Sequence, residues 1–255
     1  MRSIFEVMLE SAFMAGDILR KYYENGNFVI SQKTTSYDLV TTVDKESQEV
    51  IISFLSSKFP HIPILGEEGF EIKRYERAFF VDPLDGTLNF VHKIPFFAIS
   101  IGYWEDNKPK LGLVYDPIRR DLFYAKEGEG AFLNGKRIHV SSPSSLENSI
   151  FVTGWPYDKK KMEKAINFAN RLLKYTEYRA LGSASLELCY VGMGNFDGYF
   201  EFGLYPWDLA GGVLIAKEAG AKISKPNGEE FDLFDGEILA IAPSIYEEFL
   251  RAISS

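Results

Sequence analysis

Apolar residues at Ile4, Met8, Ala12, Ala15, Leu19 and Tyr22 recur every three or four positions, which predicts one long amphipathic helix over 4–23 packed on a core. A second helix is expected near Asp44, announced by Thr41-Thr42 and with Val50, Ile51, Phe54 and Leu55 as its inner face. The stretches IPILG (62–66) and RAFFV (77–81) read as short buried strands, each followed by acidic residues. From Phe96 to about Val140 the pattern becomes strands divided by turns, FFAISIGYW, LGLVYDP, DLFYAKE and GAFL, with Asn134-Gly135 as a tight hairpin. That segment is an antiparallel meander.

Beyond the polar run SSPSSLENS (141–149), taken as a linker, strand and helix alternate. Strands are expected at 150–153, 198–202 and 238–241, and helices at 159–174 and 185–191. A further helix should run over 208–219, stopped by Gly220, and a closing one should start at Pro243. The fold class is therefore mixed, with an α+β region over 1–145 and an α/β region over 146–255 forming one compact unit.

Composition narrows the partners. Acidic residues outnumber basic ones 36 to 28, for a net charge of −8, which disfavours a broad basic surface for nucleic acid or anionic membrane. With no signal-like amino terminus and no apolar run of membrane-spanning length, a cytoplasmic location is expected. The single cysteine, Cys189, lies in the apolar setting LELCYV and reads as a small core residue. His61, His92 and His139 are far apart and unpaired, which disfavours zinc or phosphohistidine chemistry.

Two partial motifs fail. GAFLNGKR (130–137) approaches a phosphate-binding loop, but Arg137 stands where a magnesium-holding hydroxyl is needed, and its glycines suit a hairpin. VDPLDGTL is also close to the D-x-D-G-T of the haloacid-dehalogenase phosphatases, but two residues separate the aspartates here, so the nucleophile register is lost.

The stretch VDPLDGTLNF (81–90) carries the chemistry. Pro83 is expected to end strand pairing and fix a bend, with Asp82 at the strand tip and Asp85 folding back toward it. Neighbouring carboxylates repel unless a cation lies between them, and oxygen-only surroundings suit magnesium. Gly86 allows close backbone approach, and TLNFV opens a short helix whose first amides face an anion. Glu67 and Glu68 follow a strand end, but they also fit an exposed acidic loop. Asp208 equally reads as a helix cap, Asp44 as half of a capping box with Thr41, Thr87 as a first helical turn, and Glu201 as a polar strand position.

Together DLVTTVD (38–44), ILGEEG (64–69), VDPLDGTLNF (81–90) and PWDLAGG (206–212), in this order, resemble the inositol monophosphatase family of magnesium-dependent, lithium-sensitive phosphatases. The resemblance spans nearly the whole chain, and Gly69 departs from it where Ser or Thr is frequent. It implies a layered α/β/α/β/α sandwich of the sugar-phosphatase type, commonly a homodimer or higher homo-oligomer. It implies two or three Mg2+ ions, with Glu67, Asp82 and the Leu84 carbonyl holding one, and Asp82, Asp85 and Asp208 a second. The third, weaker ion that the resemblance allows would sit near Glu67. Asp44 and Thr87 would then orient and activate the attacking water, with Glu67 in the catalytic set. Gly86 and Thr87 would hold phosphate oxygens, Gly182, Ser183, Ala184, Glu201 and Asp208 would face a polyol, and Lys33 would stand close by. The activity implied is hydrolysis of inositol 1-phosphate. Fructose 1,6-bisphosphatase activity, alone or in addition, is the runner-up, and a nucleotide 3′-phosphatase lacks a visible purine-binding set. A reading of another class is a regulatory binding protein on the same fold, for example one that contacts transcription machinery.

Overall fold

The computed structural model describes residues 2–33, 35 and 38–254. The chain opens with α1 (Ile4–Asn25), β1 (Ile30–Gln32), β2 (Leu39–Thr41) and α2 (Thr42–Lys58), followed by β3 (Ile64–Gly66), β4 (Arg77–Asp85) and the short α3 (Thr87–Val91). The meander is β5 (Ala98–Glu105), β6 (Lys108–Asp116), β7 (Asp121–Lys126), β8 (Gly130–Leu133) and β9 (Lys136–Ile138). The remainder runs β10 (Ile150–Thr153), α4 (Lys159–Leu172), β11 (Glu177–Arg179), α5 (Ala184–Gly192), β12 (Gly198–Phe202), α6 (Pro206–Glu218), β13 (Lys222–Ser224), β14 (Glu237–Ile241) and α7 (Tyr246–Ser254).

Two sheets and three helical layers make the α/β/α/β/α sandwich. The larger sheet has the order β3-β4-β5-β6-β7-β8-β9, with only the β3–β4 pair parallel. Val7, Met8, Ala12, Ala15 and Leu19 of α1, with Ile51 and Leu55 of α2, bury one face of it against Phe79, Val81, Ile99 and Ile101. The smaller sheet has the order β11-β10-β12-β14-β13. Its outer face is covered by α4 and α7 through Ala165, Ala169, Leu172 and Phe249. Helices α5 and α6 fill the space between the sheets. This is why α6 is apolar all round, with ten buried residues from Pro206 to Ala216.

The middle layer is seated on bare backbone. A Cβ on Gly102 of β5 would lie 2.6 Å from Ala210, and one on Gly112 of β6 would lie 2.3 Å from the Gly211 carbonyl oxygen. Both glycines are required by the close approach of α6, which Trp104 also ties down through Nε1–H donated to the Ala210 carbonyl at 3.0 Å.

Several expectations are corrected. Pro83 does not end strand pairing: β4 pairs with β5 at Asp82–Ser100 and again at Asp85–Ala98, and the proline sits in the irregularity between. The inner face of α2 is Val43, Asp44, Ser47, Gln48, Ile51 and Leu55, while Val50 and Phe54 are only half-buried. Polar residues face inward because they hold backbone: Ser47 Oγ donates to the Pro83 carbonyl at 2.9 Å, and Gln48 bonds both the N–H and the C=O of Glu68. Helix α6 begins at Pro206, so Asp208 lies in its first turn. The linker is partly core, since Leu146 is fully buried. The near phosphate-loop is the β8–β9 hairpin, with Asn134 and Gly135 both at positive φ, 49° and 79°. Among the described residues no helix is long and apolar enough to cross a membrane.

Candidate functional site

A cleft of about 880 Å³ opens where β4, α3, the amino-terminal ends of α5 and α6, and the segment between β10 and α4 converge. The structure brings to its walls Glu67, Asp82, Leu84, Asp85, Gly86, Thr87, Gly182, Ser183, Ala184, Glu201 and Asp208. Asp44 lies behind the wall and Lys33 beside it.

The irregularity in β4 places two aspartates from one strand end at one cleft. Asp82 accepts the Leu84 N–H at 3.0 Å. Asp85 is gripped from the opposite side by Ser183 Oγ at 2.7 Å, the Ala184 N–H at 3.2 Å, and the Ser185 N–H and Oγ at 2.7 and 2.5 Å. Gly86 then turns the chain at φ 97°, where a Cβ would lie 3.0 Å from the Gly182 carbonyl oxygen. No larger residue fits there, and the first N–H groups of α3 have no acceptor within the helix.

Asp208 is both a cap and a cleft residue, while Asp44 is a cap that reaches the cleft wall from behind through Thr87. Asp44 Oδ2 accepts the Thr41 N–H at 2.8 Å, closing a capping box, while Oδ1 accepts the Thr87 hydroxyl at 2.9 Å. Asp208 Oδ2 accepts the Tyr205 N–H at 2.7 Å, and the residue lines the cleft. The capping and cleft readings, which compete in the sequence, coexist because a carboxylate has two oxygens.

Burial drives the carboxyls toward their protonated forms. Asp82 is raised well above its usual range by burial and then by Glu67, Asp85 and Asp208. Asp208 is raised well above it by burial and then by Glu67. Asp85 and Asp44 are raised by burial against their hydrogen bonds. Glu67 is pushed up to about 7 by burial, opposed by Lys33. Lys33 Nζ donates to Glu67 Oε1 at 2.7 Å and also pairs with Glu68; burial alone would lower its pKa, but the two glutamates outweigh that and raise it. Glu201, 8% exposed, is pushed up to about 8 by burial, although the Tyr199 hydroxyl donates to its Oε2 at 2.6 Å.

These donors fit a hard divalent cation. All are oxygens, and their crowding lacks cationic relief except at Lys33, the one ion-pair partner of these acids among the described residues. Oxygens of Asp44, Glu67 and Glu68 lie within 4.8 Å of one another, the one such trio among the described residues. Asp82, Asp85 and Asp208 are spaced more widely around the cleft.

The sequence reading missed the wall formed by Gly154–Lys161, which brings Trp155, Tyr157 and Lys159 to Lys161 to the cleft. The run WPYDKKK, which leads into the first turn of α4, was its available signal. Tyr157 is half-exposed, but its hydroxyl faces the cleft, and desolvation there, then Asp38 and Glu201, raise its pKa. Ser185 and Asn89 were also missed, being ordinary helix residues until a fold sets them against Asp85 and the 181–182 loop.

The family model described as the inositol monophosphatase family matches residues 1–255. The protein named Nus factor SuhB of Pasteurella multocida is 37% identical over 257 residues, covering 99% of this chain and 96% of its own length. The crystal structure of the extragenic suppressor protein suhB from Bartonella henselae superposes with a TM-score of 0.92 at 34% identity, covering 100% of this chain and 99% of its own. The inositol monophosphatase structure from Anabaena gives 0.85 at 33% identity, covering 98% and 94%.

Proposed function

Since the chain belongs to the inositol monophosphatase family, we propose that its acidic cleft hydrolyses a phosphate monoester of a small polyol, inositol 1-phosphate to inositol and phosphate, by direct attack of water. One observation carries this reading: Glu67, the pair Asp82 and Asp85, and Asp208, from three separate stretches of chain, line a single cleft beside the Gly86–Thr87 turn.

Two or three magnesium ions would be held by Glu67, Asp82, the Leu84 carbonyl, Asp85 and Asp208, and when bound would supply positive charge to the phosphoryl oxygens and acidity to a water. The chain's own groups do the rest. Thr87 donates its hydroxyl hydrogen to Asp44, which leaves the Thr87 oxygen able to accept a hydrogen bond from the attacking water. Burial raises the proton affinity of Asp44, making it a better final proton acceptor than an exposed aspartate. Gly86 and Thr87 offer backbone N–H groups to the phosphate, and Gly182, Ser183, Ala184, Glu201 and Asp208 form the polyol walls. Lys33 tempers the charge of Glu67. Direct attack by water also fits the hydroxyls and thiol of the described residues: Ser183 and Ser185 spend theirs gripping Asp85, which the reading gives to a metal rather than to a general base, and Cys189 is fully buried.

The test is phosphate release from inositol 1-phosphate, fructose 1,6-bisphosphate and adenosine 3′,5′-bisphosphate, in magnesium, in chelator and with lithium. Magnesium-dependent release from inositol 1-phosphate is expected; release that survives exhaustive chelation would refute the reading. Preference for fructose 1,6-bisphosphate would move the assignment to the sugar bisphosphatase. Relatives named Nus factor SuhB support a second role as a regulatory binding protein on the same fold, tested by capture of a partner by an Asp85→Asn protein. A homodimer belongs to the same reading and is checked by sedimentation velocity.

A further inference from the structure

The strangest side chain in the middle layer is Glu187. It is fully buried on α5 and makes no ion pair among the described residues. Its Oε1 accepts two backbone hydrogens, from Leu181 at 2.8 Å and Gly182 at 3.2 Å, while Oε2 is buried with no hydrogen-bond partner among the described residues. An apolar side chain of similar volume would pack there without that desolvation cost, so stability does not explain a carboxyl at this position.

What the carboxyl touches does explain it. Leu181 and Gly182 begin the turn that enters the cleft as Gly182, Ser183 and Ala184, with Gly182 at φ 82°. Glu187 holds the N–H groups of this turn from behind. Asn89 of α3 holds it from the other side, its Nδ2 donating to the Leu181 carbonyl at 2.7 Å and to the Phe96 carbonyl at 2.8 Å. The same turn continues into Ser183, Ala184 and Ser185, which supply the four hydrogen bonds that the Asp85 carboxylate accepts among the described residues. We propose that Glu187 is a positioning residue, fixing the Gly182–Ala184 wall from behind and, through the three residues that grip Asp85, aiming that carboxylate into the cleft. Two accepted hydrogen bonds are enough for this task, and no ionised charge is needed. Burial, and then Glu201, raise its pKa well above the usual range, in keeping with a neutral acceptor.

The test compares Glu187→Gln, which keeps an acceptor oxygen, with Glu187→Met, which keeps the length and volume but has no oxygen. Three measurements are made on the full chain: amide hydrogen exchange at Leu181 and Gly182, Mg2+ affinity by calorimetry, and kcat and KM for phosphate release. The first stands without the hydrolase reading; the other two rest on it. Glu187→Gln is expected to stay within about threefold of the unmodified protein in all three. Glu187→Met is expected to speed exchange at the two amides about tenfold and to weaken Mg2+ binding and kcat by about the same factor. A Met variant that only lowers the melting temperature, with all three measurements unmoved, would overturn the proposal by reducing Glu187 to a packing residue. A Gln variant that exchanges freely would overturn it as well, and this decides the matter even if Glu187→Met fails to fold. Should the unmodified protein release no phosphate and bind no Mg2+, the hydrolase reading falls, and exchange at Leu181 and Gly182 alone decides the role of Glu187.

Discussion

Raising the pH should destabilise the metal-free protein, and magnesium should reverse the effect. Burial pushes Glu67 from 4.5 to about 7 and Glu201 from 4.5 to about 8. Between those limits the folded chain retains protons that the unfolded chain has released, so stability is full below the unfolded value and is lost as pH climbs through the folded one. At about 1.4 kcal/mol per tenfold change in proton affinity, the two groups together remove roughly 6 kcal/mol between about pH 5 and about pH 8. Unfolding entropy of about 2.1 cal/mol/K per residue amounts to about 0.5 kcal/mol per degree for a chain of this size, so the melting temperature should drop by roughly 10 °C. Magnesium at about 100 times its dissociation constant contributes about 2.7 kcal/mol. That is about 5 °C at the upper pH. It should be much less at the lower pH, where protons compete for the same oxygens. Calorimetric melts in chelator and in magnesium, at both pH values, measure each quantity, and Glu201→Gln should flatten the larger part of the slope. A metal-free melting temperature that is flat or rises from about pH 5 to about pH 8, or a magnesium gain equal at both, would refute the electrostatic account of the cleft.

Asp85→Asn should stay folded by circular dichroism, since its amide oxygen can keep the bonds from Ser183 and Ser185 and only the longer one from Ala184 is lost, yet it should lose about a hundredfold or more in turnover with the charge. Near-normal turnover in that variant would remove Asp85 from the site. Lithium should inhibit phosphate release in the magnesium assay, as expected for this family. Gly112→Val should cost about 3 kcal/mol or more in urea unfolding, because its Cβ would meet the Gly211 carbonyl at 2.3 Å. Cys189, fully buried with its thiol pKa raised by burial, should react with a disulfide reagent only as fast as the chain unfolds.

Long periodic elements were legible because their burial is one-sided: α1 buries Met8, Ala12, Ala15 and Leu19 as its spacing predicts. The three-residue strands β1, β2, β11 and β13 were not legible, since each is defined by its pairing partner rather than by any local pattern. The interruption at Pro83 was visible, but its consequence was misread. A proline is compatible with the strand when the ladder skips from Asp82 to Asp85, and only β5 shows that it does. At the site, the acidic motifs announced themselves through residue type and order. Their supports did not, because Ser185, Asn89 and Glu187 acquire meaning only when α5 is laid against β4 and α3.

Asp208 rides on a helix whose depth is set by the absence of two side chains, at Gly102 and Gly112. The width of the cleft is thereby gauged from within the sandwich, by strands whose glycines never meet whatever the cleft holds. A descendant of this chain could keep every acid in its signature stretches and still lose its chemistry through one added methyl on a strand of the larger sheet. Judging which relatives remain competent therefore calls for inspecting the helix seat as well as the acids it delivers.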